Sequence, residues 1–359
     1  AYNGHYAATD ADLDICYAMI KALTKWPSLA NTQIKTTTIA FNDATQAELA
    51  PVLGATTFLE LIQSQLSAIW KREVGHEVSY GIDNILLNGD GWARDSAGNY
   101  LPTQGINLSY FRPLYCETFQ IFYNTYMTMN SNYALEHQTW YSANGSDNNV
   151  YNNTYRYLIN CKKNNSMCLP PDSTLPAPGS TQYWPGGALL GGGYDSVRVH
   201  MWVAMDYAKN PASPQAANAK AILETVVGYY ANQTKTGGSF NIPSPSQGQA
   251  MSAITAPSYA KPLFGGSPVV PASSLVYRDS KGNLIFNPGN PAAAACLLIA
   301  CNALGSQYKP LENTCYDYFL KNLPTNVGGG GLGDGSVASI PYFAGMLAVI
   351  SSFFLGSGF

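Results

Sequence analysis

The 359-residue chain is long enough to bury a large core, and its 46% hydrophobic content is ordinary for a globular protein. Only 11% of its residues are charged and the net charge is −3, with no Lys/Arg run, which excludes the basic surface that nucleic-acid binding requires. Asn, Ser, Thr, Gln and 25 Tyr must then supply the polar surface. Such a surface is typical of a secreted protein, extracellular or periplasmic, that binds a neutral ligand.

Helical periodicity dominates the chain from its start, where an apolar stripe at residues 15, 18, 19, 22 and 23 ends at Trp26-Pro27. The same spacing predicts further helices over residues 58–74, 113–129, 151–160, 196–209, 216–231, 247–255, 291–304, 309–320 and 340–355. Long loops rich in Gly, Pro, Asn and Ser separate them. One short hairpin is predicted over 275–286, where residues 279–282 form a turn. No linker divides the sequence, so we predict one domain over residues 1–359.

The cysteines and histidines indicate no metal site. None of the seven cysteines forms a CxxC pair and the four histidines lie far apart in the sequence, so we predict neither a metal nor another cofactor. Cys161 and Cys168 flank a polar loop and are candidates for a local disulfide. Cys296 and Cys301, on one predicted helix, are candidates for small core residues. The apolar run over 337–359 contains Pro341 and several Ser and Gly, so we interpret it as a buried helix and not as a membrane span.

Three acidic residues open the first helix in Thr9-Asp10-Ala11-Asp12-Leu13-Asp14. In the simpler interpretation, Thr9 or Asp10 caps the helix and the acids complement its dipole. In the functional interpretation, a carboxylate held ionised at a helix N-terminus accepts a hydrogen bond from a sugar hydroxyl or from water.

A second motif, Gly192-Gly193-Tyr194-Asp195-Ser196-Val197-Arg198, also begins a predicted helix. Arg198 follows Asp195 by one turn on the same face, so a capped helix with an ion pair is the simpler interpretation. A functional carboxylate, with its pKa lowered and its orientation fixed by the arginine, is the other.

The loops between helices place aromatic rings beside further polar residues. Leu86-Leu87-Asn88-Gly89-Asp90-Gly91-Trp92 is followed by Asn107-Leu108-Ser109-Tyr110-Phe111. Trp92 and Tyr110 could stack on the C–H faces of a sugar, or they could anchor their loops in the core.

Taken together, these segments resemble glycoside hydrolase family 8. Residues 8–12, followed by Ile15, Tyr17-Ala18 and Trp26, resemble the signature around the active-site aspartate of that family, with Cys16 where the family usually has Ala. Gly89-Asp90-Gly91-Trp92, Ser109-Tyr110-Phe111 and Tyr194-Asp195-Ser196-Val197-Arg198 recur in the family in this order. The resemblance spans roughly residues 8 to 355.

This resemblance implies an all-α fold, an (α/α)6 barrel whose long loops form a glycan cleft, and inverting hydrolysis of a β-1,4-glycosidic bond in cellulose, xylan, chitosan or a mixed-linkage glucan. Asp195 matches the general base of the family. Asp10 matches the aspartate that contacts the sugar at the cleavage subsite, with Asp12 beside it. By the same match, Tyr194, Arg198 and Tyr110 orient the base, the water and the sugar.

The family's general acid is a Glu upstream of this signature, and only seven residues precede the signature here, which begins at Ala8. Three explanations stay open: an N-terminal segment outside this numbering, a second chain or protomer that supplies the helices, or a relative that has lost the acid. The nearest echo, Glu77-Val78-Ser79-Tyr80-Gly81, has the wrong spacing.

Two function classes follow. The first is a glycosidase, most simply an endo-β-1,4-glucanase, that works with a Glu outside this numbering. The second is a non-catalytic glycan-binding or assembly protein with the same fold. A lyase acting on an acidic polymer is a weaker third, because the chain is not basic. Five Asn-x-Ser/Thr sequons, at Asn107, Asn144, Asn152, Asn164 and Asn232, are compatible with N-glycosylation in a eukaryotic source.

Overall fold

A computed structural model describes residues 8–34, 57–76, 83–89, 106–163, 194–234, 277–278, 284–285 and 291–322. The chain divides into two compact units. The first comprises Ala1–Pro102 and Tyr115–Thr154, and the second comprises Thr103–Leu114 and Tyr155–Phe359. The single domain inferred from the sequence stays a prediction.

The first unit opens with helix α1 (Thr9–Lys25), a 3₁₀ turn (Pro27–Asn31) and helix α2 (Phe58–Arg72). Helix α2 begins with a capping box, in which Thr57 Oγ1 accepts from the Glu60 N–H (3.2 Å) and Glu60 Oε2 accepts from the Thr57 N–H (2.9 Å). The apolar faces of the two helices supply buried residues to this unit: Leu13, Cys16, Ile20 and Leu23 from α1, and Ile62, Leu66 and Ile69 from α2.

After α2 the chain forms a short antiparallel hairpin of β1 (Val74–Gly75) and β2 (Ile85–Leu86). Both strands are fully buried. Asn84 precedes β2 with φ of 51°, a left-handed conformation that Asn tolerates better than most residues. The hairpin therefore returns the chain so that residues 83–89 lie beside the first helices.

Helix α3 (Pro113–Phe122) ends earlier than its periodicity predicts. A π-helical turn (Tyr123–Met127) continues it, in which the Thr128 N–H donates to the Tyr123 carbonyl at 3.2 Å, five residues back. The Thr125 hydroxyl donates to the carbonyl four residues earlier at 2.7 Å and competes for a backbone acceptor. The predicted helix over 113–129 is therefore correct in place and wrong in its last turns.

A buried polar chain ties the segment after this turn to α2. Trp140 is fully buried and its indole N–H donates to Gln138 Oε1 at 2.7 Å. Gln138 donates in turn to Glu136, and the Lys71 ammonium lies 2.8 Å from the Glu136 carboxylate. The Ser67 hydroxyl is a third donor to this carboxylate. The carboxylate is almost wholly buried, so its three donors stabilise the charge that burial would otherwise penalise.

The second unit contains most of helix α4 (Val150–Lys163) and all of α5 (Tyr194–Lys209), α6 (Ala216–Thr234), α7 (Pro291–Leu304) and α8 (Lys309–Asn322). Helix α7 packs against α5, α6 and α8. Every residue of α7 from 295 to 301 is buried. A helix that is apolar all round belongs in a core. Gly305, with φ of +90°, follows α7 in a conformation that favours glycine.

Some of the remaining sequence predictions fall on described residues and others fall outside them. The hairpin predicted over 275–286 is present as antiparallel β3 (Tyr277–Arg278) and β4 (Leu284–Ile285). Cys296 and Cys301 are buried free thiols, which confirms them as core residues. The helices predicted over 247–255 and 340–355, the apolar run over 337–359 and the Cys161–Cys168 disulfide lie outside the described residues. Among the helices that are described, none is long and apolar enough to cross a membrane.

Candidate functional site

The acidic helix start, residues 9–14, lies beside residues 86–89, the described part of the Leu86–Trp92 motif. The Thr9 N–H donates to the Asn88 carbonyl at 3.3 Å. The N-cap of α1 is Ala8, which offers no side-chain bond, and the prediction that Thr9 or Asp10 caps this helix is wrong. The Asn88 carbonyl satisfies a first-turn amide from outside the helix, so no side-chain cap is needed for it. Asp10 Oδ1 instead accepts from the Ala11 N–H at 3.0 Å.

Within the acidic helix start, Asp10 and Asp12 are only half-buried, in the first turn of α1. One turn further, the Tyr115 hydroxyl donates to Asp14 Oδ1 at 2.9 Å, and the Tyr115 ring stacks on Tyr17 with centroids 3.9 Å apart. The two rings cover the same side of α1 and hold Asp14 in place. The helix therefore presents two partly exposed carboxylates, which are acceptors for hydroxyl groups, beside a fixed aromatic pair.

The second unit brings together two segments that the sequence marked separately. The Arg198 guanidinium on α5 lies 5.7 Å from the centroid of the Tyr110 ring, within cation–π range, and Arg198 is buried. Tyr110 closes a 3₁₀ turn (Leu108–Tyr110). Asn107 Oδ1 holds the turn by accepting from the Ser109 N–H (2.9 Å) and the Ser109 hydroxyl (2.7 Å). The buried turn fixes the ring against which the arginine lies.

A second arginine, which the sequence reasoning missed, completes this arrangement. The Arg112 guanidinium lies 4.0 Å from the centroid of the Trp202 ring, and its Nη1 donates to the Ser109 carbonyl. Both side chains are nearly inaccessible to solvent, at 2% for Arg112 and 4% for Trp202. We call Tyr110, Arg112, Arg198 and Trp202 the arginine–aromatic cluster. Arg198 and Trp202 are four residues apart on α5, a spacing that places both on one face of the helix. This spacing is the sequence signal that could have pointed to the cluster.

The same face of α5 continues to a buried carboxylate. Asp206, four residues after Trp202, accepts a hydrogen bond of 2.6 Å from the Tyr155 hydroxyl of α4. Tyr155 is fully buried and Asp206 is 4% exposed. Residues 198, 202 and 206 recur every four positions and therefore share one face of α5. Contacts from this face hold it to the 107–112 segment at one end and to α4 at the other.

The other predicted site residues fall at the edge of what is described or beyond it. Tyr194 and Asp195 lie in the first turn of α5, where only the backbone is described. Asp195 precedes Arg198 by three residues, which places both on the same side of the helix. Trp92 and the Glu77–Gly81 echo lie outside the described residues.

Behind the arginine–aromatic cluster, α5 and α7 bury groups that cannot react easily. Cys296 Sγ lies 3.7 Å from Met201 Sδ, and burial raises the pKa of the Cys296 thiol to about 12 although the Arg198 charge acts in the opposite direction. Burial alone lowers the pKa of His200 to about 3, so the imidazole is neutral at physiological pH. A thiol with a raised pKa is a poor nucleophile. Within the described ranges, no three His, Cys, Asp or Glu side chains are grouped as metal ligands would be.

Comparison with known proteins shows the fold. No family model and no curated protein matches the sequence. A reducing end xylose-releasing exo-oligoxylanase of known structure is similar to this chain, with a TM-score of 0.50 and 11% identity over 98% of this chain. The chain spans 65% of the length of that protein. Endoglucanase Cel10, a family 8 glycosyl hydrolase from Klebsiella pneumoniae, aligns over 98% of this chain and 74% of its own, with a TM-score of 0.42 and 14% identity.

At 11% identity the likeness concerns the fold alone. Together with the helices α1–α8 of the described residues, the likeness to the exo-oligoxylanase confirms the predicted class, an all-α fold of the (α/α)6 barrel type.

Proposed function

We propose that this chain is the barrel of a polysaccharide hydrolase that cleaves β-1,4-glycosidic bonds with inversion, with Asp195 as the general base. The observation that carries the proposal is the Arg198–Tyr110 contact at 5.7 Å, one helical turn from Asp195, on a fold similar to that of an oligoxylanase. Each of these three residues matches a position that the resemblance to glycoside hydrolase family 8 assigns to the base and its neighbours.

The placement of Asp195 suits a general base. An inverting hydrolase needs one carboxylate that is ionised and can take a proton from the attacking water. A position in the first turn of a helix favours the anion through the helix dipole. Arg198, one turn along the same side, adds a positive charge that favours the same form. Since Arg198 is buried and rests near the Tyr110 ring, that charge is held in place and not free to swing into solvent.

The acidic helix start serves the sugar in this proposal. By the family match, Asp10 contacts the sugar at the cleavage subsite and Asp12 lies beside it. Their half-buried carboxylates suit this role, since they can accept hydrogen bonds from hydroxyl groups while keeping part of their hydration. Trp92 adds a stacking surface for the sugar. The general acid is a Glu outside this numbering, supplied by the same protein or by a second chain, about 6.5–9.5 Å from the base so that water fits between them. Because the proposed substrate is a polysaccharide, we propose that the protein is secreted, to the exterior or the periplasm.

A hydrolysis assay tests the proposal. The protein, with any segment that precedes residue 1 retained, is incubated with soluble β-glucan, xylan and chitosan, and reducing ends are measured for the wild type, Asp195→Asn and Asp147→Asn. Asp147 is an exposed loop carboxylate and serves as the matched control. We expect Asp195→Asn to lose at least about 100-fold in rate, the lower end of what acid–base catalysis contributes, and Asp147→Asn to keep full activity.

Equal release by the wild type and Asp195→Asn would contradict the mechanism. Polymer binding without any product from the wild type would favour the non-catalytic glycan-binding alternative.

A further inference from the structure

The loop before α4 carries one of the five sequons, Asn144-Gly145-Ser146, in a defined and exposed conformation. Asn144 Oδ1 accepts from the Ser146 hydroxyl at 2.9 Å and from the Ser146 N–H at 3.3 Å. Asn144 and Ser146 are both exposed, with no proline between them. The hydroxyl that a sequon requires is therefore already in contact with the amide that would be modified, on the surface of the protein.

The backbone of this loop is anchored while its side chains face solvent. The Asn152 side-chain amide, from the first turn of α4, donates to the Asn144 carbonyl (2.9 Å) and to the Asp147 carbonyl (3.1 Å). The Asp147 carboxylate accepts from the Asn144 side-chain amide (2.7 Å) and from the Ser142 hydroxyl (2.5 Å). An amide has two N–H donors, so substituting one leaves the other available for Asp147. The loop can therefore carry a substituent on Asn144 without losing these contacts.

A second sequon supplies a matched comparison, because it has the same hydrogen bonds and the opposite exposure. In Asn107-Leu108-Ser109, the Asn107 Oδ1 also accepts from the Ser109 hydroxyl and N–H. Asn107 is 9% exposed and Ser109 is fully buried, in the turn that holds the arginine–aromatic cluster. An oligosaccharide on Asn107 has no room in the folded protein, since buried side chains are packed at close to crystal density.

The third described sequon, Asn152-Asn153-Thr154, is excluded more strongly. Asn152 and Thr154 are fully inaccessible, and Asn153 is 1% exposed. A glycan on Asn152 would displace the amide that anchors the Asn144 loop and would expose buried packing around α4. A chain modified there could not reach this fold.

We propose that Asn144 accepts an N-linked oligosaccharide when the chain passes through a secretory pathway that carries this chemistry, and that Asn107 and Asn152 do not. The donor is a lipid-linked oligosaccharide diphosphate. The Asn144 amide nitrogen forms a bond to the sugar C1, the bond from C1 to the phosphate oxygen breaks, and the amide loses one proton as the lipid diphosphate leaves. The proposal is independent of the hydrolase activity.

Site-resolved peptide mapping tests it. The chain is expressed behind a cleavable leader in a eukaryotic secretory host, the folded secreted protein is isolated, and glycan release that converts modified Asn to Asp marks each occupied site by mass spectrometry. We expect a glycan at Asn144 and none at Asn107 or Asn152. Asn144→Gln and Ser146→Ala should abolish that glycan, and Ser146→Thr should keep it.

Asn148→Gln is the matched control, because Asn148 is an exposed asparagine of the same loop with no hydroxyl residue two positions later. It should leave occupancy at Asn144 unchanged. An empty Asn144 in the folded wild-type protein would overturn the proposal, and so would a glycan on Asn107 or Asn152. Mapping each peptide separately keeps Asn164 and Asn232 from contributing to the result.

Discussion

Replacing Tyr155 with Phe removes one buried oxygen and tests how α4 is held to α5. The Tyr155 hydroxyl donates to Asp206 at 2.6 Å, the short distance typical of a hydrogen bond to a carboxylate. Phe keeps the ring and its packing, so the change isolates this bond. A hydrogen bond to a charged group contributes about 1.5–3 kcal/mol, and the buried carboxylate loses a donor that water cannot replace. We expect the free energy of unfolding at pH 7 to fall by about 1.5–3 kcal/mol.

Urea denaturation of the wild type and of Tyr155→Phe measures this difference, provided that the dependence on denaturant has the same slope in both. Tyr123→Phe is the control, since Tyr123 is also buried and its hydroxyl makes no hydrogen bond to the described part of the chain. It should lie within about 0.5 kcal/mol of the wild type. A loss for Tyr155→Phe no larger than that of this control would contradict the prediction, because the hydrogen bond would then not stabilise the fold.

Three further predictions concern stability. Thr57→Ala should lower the free energy of unfolding by about 1 kcal/mol in chemical denaturation, because it removes the cap of α2, and Thr57→Ser should restore it. Burial lowers the pKa of His200 to about 3 from 6.5, so the unfolded chain binds the proton first and stability should fall as the pH drops from about 6.5 to 3, by up to about 1.4 kcal/mol per pH unit. Denaturation across that range should show a flatter pH dependence for His200→Leu, and an unchanged dependence would contradict the assignment. A double-mutant cycle of Arg112→Met and Trp202→Leu should give a coupling of about 2 kcal/mol, because the pair is desolvated, and a coupling near zero would argue against the stacking.

The helices were the most predictable part of the molecule. Periodicity placed the helix over 291–304 at its observed bounds and the one over 58–74 within two residues of Phe58–Arg72. Both have clear local starting signals, a proline in the first turn of the former and the Thr57–Glu60 capping box of the latter. Local chemistry of this kind is written in adjacent residues, so sequence alone can supply it.

Contacts between distant segments were less predictable. Residues 198, 202 and 206 share a face of α5 by spacing, yet nothing in the spacing says that Tyr110, Arg112 and Tyr155 would be their partners. The N-cap of α1 was wrong for the same reason, since the carbonyl of Asn88 comes from a segment far along the chain. The resemblance to a family of hydrolases marked Tyr110 and Arg198 together, and only the fold brought Arg112 to them.

We propose inverting hydrolysis with Asp195 as base, and inversion leaves a signature in the product. The most direct measurement is the anomeric configuration of the first product released from a β-1,4-linked oligosaccharide, followed by NMR before mutarotation, for the wild type and Asp195→Asn. We expect an α-anomer from the wild type and no product from Asp195→Asn on the same timescale. A β-anomer, or an α-anomer formed equally fast without the Asp195 carboxylate, would contradict it.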